Sequence, residues 1–304
     1  MAYVFISNLL ASFVTLLFLL PEITVRLDFI NLKLLKRIYA YSLPLLVVGL
    51  AGTVNEVADK IMLKMIIDDR KTALQQLGIY GANYKLGMLM TIFIQMFRYA
   101  AEPFYFSKMK DLDAKEVYAK VMKYFILFGL LIFLVVMLYI DLFKHFIGEE
   151  FHSGLQIVPI ILTANLFLGI VFNLSIWYKL SNRTKFGALI TLIGASITVF
   201  MNILLIPEYG YVGCAWATLI CYIGMFLISY FLGRKFYFIP YPIKSILFYI
   251  VLAYGIYFIQ NNIQYPFLTL KIAINSLFLL GFILIICKRE NIRMIDIRDF
   301  INNK

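Results

Sequence analysis

Long apolar blocks alternate with short polar gaps along the whole chain, and this spacing restricts the possible folds more than any motif does. Nine blocks can be marked, at roughly 3–21, 41–67, 78–106, 117–142, 155–179, 185–206, 210–233, 241–260 and 266–287. An α-helix needs about 20 mostly apolar residues to cross the ~30 Å hydrocarbon core of a bilayer. The period-two alternation of a membrane barrel is absent. Composition agrees: 62% of the 304 residues are hydrophobic and 15% are charged, against about 25% charged in soluble domains. The expectation is an all-α integral membrane protein with about nine transmembrane helices. No basic residue precedes the first block and no small-residue cleavage site follows it, so it reads as a span and not as a leader.

The net charge is +11. On a soluble protein that would suggest nucleic acid; here no nucleic-acid partner is expected, because the bases sit in the gaps. Arg26, Lys33, Lys36 and Arg37 follow the first span. Lys108, Lys110, Lys115, Lys120 and Lys123 follow the third, Lys179, Arg183 and Lys185 the fifth, and Arg234, Lys235 and Lys244 the seventh. Lys288, Arg289, Arg293, Arg298 and Lys304 follow the ninth. These alternate gaps hold 20 bases and the intervening ones only Arg70, Lys71 and Lys144. Positive loops stay in the cytoplasm, so the pattern predicts a multi-pass membrane protein with its C-terminus cytoplasmic and Met1 outside. Nothing basic would then hold the first helix at insertion, which suggests that an odd number of helices precedes it. Tyr39, Tyr41, Tyr80, Tyr84, Trp177, Tyr178, Tyr209 and Tyr211 lie near span ends and read as an interfacial belt.

Two spans carry charge. The second holds Asn55, Glu56, Asp59, Lys60 and Lys64; the third holds Lys85, Gln95, Arg98 and Glu102, with Thr91 on the same face as the last three. Each such charge costs about 2.5–3.5 kcal/mol at mid-membrane, so it needs a partner or water. Glu56, Asp59, Lys60 and Lys64 share one helix face, and Glu56 can pair with Lys60 at i, i+4. At about 1.5 Å per residue, Asp59 and Lys85 fall level and are expected to pair. The functional expectation is a polar wall on a water-filled cavity: Lys60, Lys64, Lys85 and Arg98 offered to an anionic substrate, Glu56, Asp59 and Glu102 as ion-coupling groups, and Asn55 and Gln95 as lining. The structural alternative is a set of internal ion pairs joining two helices. Thr191, Thr198 and Asn202 form a weaker stripe, as do Asn165 and Asn173 with Lys179 off to one side; both read as packing contacts. Pro44, Gly49 and Gly52 would let the second span bend.

No catalytic constellation appears: G-x-S-x-G, H-E-x-x-H and a phosphate loop are all missing. Cys214, Cys221 and Cys287 lie in apolar blocks without a C-x-x-C pair, and His145 and His152 are the only histidines. No enzyme activity, cofactor or metal is therefore expected.

Two stretches carry a family resemblance. Y-S-L-P-L-L-V-V-G-L-A-G-T-V-N-E-V-A-D-K-I-M-L-K (41–64), L-G-I-Y-G-A-N-Y-K-L-G (77–87) and A-E-P-F (101–104) resemble the seventh and eighth helices of Wzx-type polysaccharide (O-antigen, lipopolysaccharide) flippases. N-I-L-L-I-P-E-Y-G-Y-V-G-C-A-W-A-T (202–218) is similar to a helix-turn-helix of the same family and of its MATE-like MOP superfamily. In it Pro207, Gly210 and Gly213 would form a tight outer loop, and Ala215 and Ala217 would allow close packing.

The resemblance implies the C-terminal portion of a fourteen-helix, two-lobe protein. Residues 1–38 would be the last helix of a missing N-terminal lobe with a cytoplasmic linker, 39–233 a six-helix lobe, 234–287 two trailing helices and 288–304 a cytoplasmic tail. The rest of the cavity would come from a missing lobe, a split partner or a second copy. The implied substrate is an undecaprenyl-diphosphate-linked oligosaccharide, moved across a bacterial inner (cytoplasmic) membrane by alternating access. Rival readings are a cation-coupled multidrug exporter of the same superfamily, whose cavity should favour acids, a membrane-embedded polysaccharide polymerase or glycosyltransferase, which should carry a long outer loop, and the remnant of a broken gene.

Overall fold

The computed structural model describes residues 2–22 and 32–291. Arg26, Arg293, Arg298 and Lys304, and the side chain of Glu56, lie outside the described residues. The described residues contain no strand; the helices are α1 (Ala2–Leu19), α2 (Leu32–Ile66), α3 (Arg70–Ser107), α4 (Ala114–Leu138), α5 (Ile140–Phe143), α6 (Val158–Leu174), α7 (Ile176–Leu180), α8 (Thr184–Tyr209), α9 (Tyr211–Phe236), α10 (Ile243–Asn262) and α11 (Leu268–Arg289). Short 3-10 turns at Leu20–Glu22, Lys144–Phe146 and Glu149–Ile157 complete the order.

Each expected span coincides with a helix or, for 155–179, with a 3-10 turn followed by α6 and α7. Among the described residues, seven segments are long and apolar enough to cross a membrane: Leu32–Asn55, Ala114–Leu138, Glu149–Leu180, Thr184–Tyr209, Tyr211–Phe236, Ile243–Asn262 and Leu268–Arg289. The apolar part of α1, Phe5–Leu19, is shorter. Helix α3 is long enough, but Lys85, Gln95, Arg98 and Glu102 lower its hydropathy. The chain is an all-α membrane protein.

Two compact units divide it, Met1–Ser42 and Leu43–Lys304. The first holds α1, the turn after it and the opening of α2. The second is built around α6. Leu162, Leu166, Ile170 and Leu174 of α6 pack with Met90 and Ile94 of α3 and with Phe125, Leu130 and Phe133 of α4. Tyr249, Ala253 and Ile256 of α10 and Phe282 of α11 join the same core. On the other side Ala164 and Val171 of α6 pack with Ile190 of α8 and Leu219, Cys221, Tyr222 and Met225 of α9.

Small residues permit these approaches, as in membrane bundles generally. A Cβ on Gly169 would stand 2.3 Å from Phe125, and one on Gly213 would stand 2.5 Å from the Leu205 carbonyl oxygen. The α8–α9 connection is a single residue, Gly210, at φ +55°. That backbone region is open to glycine and strained for other residues. Pro207 does not make the turn: it lies within the last helical turn of α8, and the chain reverses at Gly210. The interfacial belt is only partly real. Tyr39 and Tyr209 are exposed, whereas Tyr80 and Trp177 are core residues, the latter donating from its indole nitrogen to Ser229 Oγ at 3.2 Å.

Candidate functional site

Among the described residues, the polar side chains of the two charged helices α2 and α3 gather in two regions of the larger unit. The first surrounds Asp59, which is 2% exposed. Tyr80 Oη of α3 donates to Asp59 Oδ2 at 2.9 Å, and Thr218 Oγ1 of α9 lies 2.9 Å from the same oxygen. Asp59 Oδ1 has no hydrogen-bond partner. Asn202 of α8 is wholly buried and faces the carboxylate, yet both of its amide atoms lack a hydrogen bond. The Cys214 thiol points to the Asp59 carbonyl oxygen at 3.7 Å.

Helix geometry explains the convergence. Asp59, Asn202 and Thr218 each lie seven residues from the end of a helix, at Ile66, Tyr209 and Tyr211, all on the base-poor side. At about 1.5 Å per residue they share one depth near 10 Å. A buried polar atom without a partner costs about 1–3 kcal/mol, and three of them meet here. One carboxylate beside neutral amide and hydroxyl oxygens is a donor set for a small hard cation or a proton.

The second region is a cleft of about 350 Å³ lined by α2, α3, α6, α7, α8 and α9. Its charged lining is Arg98, Glu102 and Lys179, with Asn55, Thr191 and Tyr222 among the polar residues. Lys179 Nζ donates to Glu102 Oε1 at 2.7 Å. Arg98 Nε stands 4.0 Å from Glu102 Oε2, and the guanidinium lies over the Phe172 ring at 4.9 Å. The side chain of Lys179 is 13% exposed and that of Arg98 51%. Lysine therefore neutralises the glutamate, and the arginine is the cation presented to the cleft.

Local helix breaks and small residues create this space. Helix α6 ends at Leu174 and α7 begins at Ile176. The intervening Ser175 turns its hydroxyl back onto the Phe172 carbonyl at 2.6 Å, an arrangement that competes with regular helix bonding. On α2, Gly49 and Gly52 line the cleft and have no atom within 4 Å of where a Cβ would stand. Asn55, one turn before Asp59, is buried at the cleft with Oδ1 unpartnered.

The residues expected on one wall are thus divided. Asn55, Arg98 and Glu102 meet at the cleft, and Asp59 sits in its own cage. The expected Asp59–Lys85 pair does not form: hydroxyls of Tyr80 and Thr218 occupy the carboxylate, and Lys85 is exposed. Lys64 and Gln95 are exposed too and do not line the cleft. Lys60 lays its ammonium over the Tyr84 ring at 4.9 Å. The Glu56–Lys60 pairing rests on the undescribed Glu56 side chain. Sequence reasoning missed Tyr80 and Thr218 around Asp59, read Asn202 as packing, and gave Lys179 no role. The equal distance of Asp59, Asn202 and Thr218 from their helix ends was the available signal.

No protein-family model matches the chain, and no curated protein does. Among solved structures, the fold matches the lipid II flippase MurJ in an inward closed conformation, with a TM-score of 0.52 and 18% identity over 81% of this chain and 53% of the flippase. It also matches a MOP superfamily transporter from Pyrococcus furiosus, whose binding pocket is described as having reverse polarity suggestive of a different function. There the TM-score is 0.53 and the identity 17%, over 74% of this chain and 52% of that one. The chain spans about half the length of these structures, and what it shares with them is the fold.

Proposed function

We propose that this chain forms one lobe of a membrane transporter that carries a lipid-diphosphate-linked oligosaccharide across the membrane by alternating access, with Asp59 as the ion-coupling group. The observation that carries the reading is a buried, incompletely partnered carboxylate one helical turn from an open cleft. Buried ionisable groups in membrane helices mark ion and substrate paths. The half-length match to transporters of this fold supports a cavity completed from elsewhere, by preceding sequence, a separate chain or a second copy.

The charge of the cleft favours an anion. Glu102 is held by Lys179, which leaves one net positive charge, on Arg98. A cation exporter would need the acid unpaired. Arg98 offers a planar donor fork that suits phosphate oxygens, while an attached lipid tail stays in the bilayer. The test is binding of an undecaprenyl-diphosphate sugar to purified protein in detergent. Arg98→Glu is expected to weaken binding roughly tenfold or more, the scale of a lost charge-assisted contact at 1.5–3 kcal/mol. Lys85→Glu, off the cleft, should change it little. Unchanged binding in Arg98→Glu defeats the assignment.

A further inference from the structure

A third polar region lies at the base-poor end of the larger unit, where the turn after α4 meets the α10–α11 connection. Asp141 of α5 accepts from Lys144 Nζ at 2.8 Å and from Lys271 Nζ of α11 at 2.6 Å. One carboxylate thus faces two ammonium groups, and each ammonium keeps donors to spare. These residues line a groove of about 600 Å³ together with His145, Tyr265 and Phe267. Behind it, Tyr265 Oη donates to Gln260 Oε1, and Gln260 Nε2 is buried without an acceptor. The rim is apolar: Phe267 is 70% exposed, and Ile263 and Leu268 beside it are exposed too.

A net positive groove with a greasy rim at the end of membrane-spanning helices has the chemistry of a phospholipid headgroup site. Both lysines lie on the side where the charge pattern of the loops places almost no other bases, so general positive-loop bias does not explain them. We infer that the groove formed by Lys144, Lys271 and the α10–α11 connection binds the phosphate of an acidic membrane lipid, with Ile263, Phe267 and Leu268 against its acyl chains. The inference requires only that the chain lies in a membrane and is independent of the transport reading.

The full chain, purified in detergent, is to be incubated with equal amounts of phosphatidylglycerol and phosphatidylcholine and the retained lipid weighed by native mass spectrometry. Phosphatidylglycerol is expected to be retained in preference. Lys144→Gln and Lys271→Gln should each lower its retention about fivefold, the value of one base near a lipid surface. Asp141→Asn removes the competing carboxylate and should raise retention, a gain that a purely structural ion-pair role would not produce. If the lysine variants do not fold, the Asp141→Asn result decides alone. Equal retention of the two lipids, no rise in Asp141→Asn, or full displacement of phosphatidylglycerol by inorganic phosphate would each overturn the inference, the last by reassigning the groove to free phosphate.

Discussion

The Glu102 carboxylate on α3 and the Lys179 ammonium on α7 meet at 2.7 Å across the cleft, and this pair decides which charge the cleft presents. Arg98, only one turn from Glu102, is left at 4.0 Å and half exposed. Lys179→Met should hand Glu102 to Arg98. The expected results are loss of undecaprenyl-diphosphate sugar binding and a stability decrease of about 1–2 kcal/mol, below the 3–5 kcal/mol of a fully buried pair because Glu102 is 38% exposed. Glu102→Gln combined with Lys179→Met should restore binding, since Arg98 is free again. Thermal unfolding in detergent and lipid binding measure the two effects separately.

Asp59 carries the ion-coupling prediction. A ligand that binds only the folded state stabilises it by RT ln(1 + [L]/Kd). Raising sodium at constant ionic strength against choline, or lowering pH if the ligand is a proton, is expected to raise the melting temperature of the native chain. Asp59→Asn should abolish that dependence, and Asn202→Ala should weaken it. A response that survives in Asp59→Asn would remove this residue from the coupling role.

The α8–α9 hairpin should be intolerant of added side-chain atoms. In Gly213→Ala the new methyl would meet the backbone oxygen of Leu205 at 2.5 Å, and backbone cannot rotate away as a side chain can. A loss of about 1–3 kcal/mol, the usual cost of overpacking, is expected in denaturant or thermal unfolding. Gly255→Ala, where a Cβ meets nothing within 4 Å, is the matched control and should be neutral or slightly stabilising in its helix.

Asp141 links pH to the α5–α11 contact. Burial raises its carboxyl pKa, but hydrogen bonds and charge from Lys144 and Lys271 outweigh this and hold it below the ordinary carboxylate value. A group depressed on folding stabilises above its unfolded pKa, near 3.9, and that stability disappears as pH falls through the folded value. The native chain should therefore exceed Lys144→Gln/Lys271→Gln in stability at neutral pH by at most about 1 kcal/mol, since the groups are partly solvated. The difference should close below about pH 4. A gap that persists into stronger acid would mean that the lysines stabilise by packing alone.

Sequence alone determined the solvent, the secondary structure and the span positions, because a bilayer demands helices of set length and each apolar block supplies its own. It also marked α2 and α3 as the charged helices. Tertiary structure decided how those charges are used. Period and depth place Asp59 and Lys85 level, but they cannot say which neighbouring helix supplies the partner. Tyr80, Thr218 and Asn202 reach Asp59 only because the C-terminal end of α2, at Leu63, lies against α3, α8 and α9. Likewise Lys179, 77 residues from Glu102 in the chain, reaches it because α6 breaks at Ser175 and α7 turns toward the cleft. Local hydrophobicity is written residue by residue, whereas a buried charge is satisfied across helices.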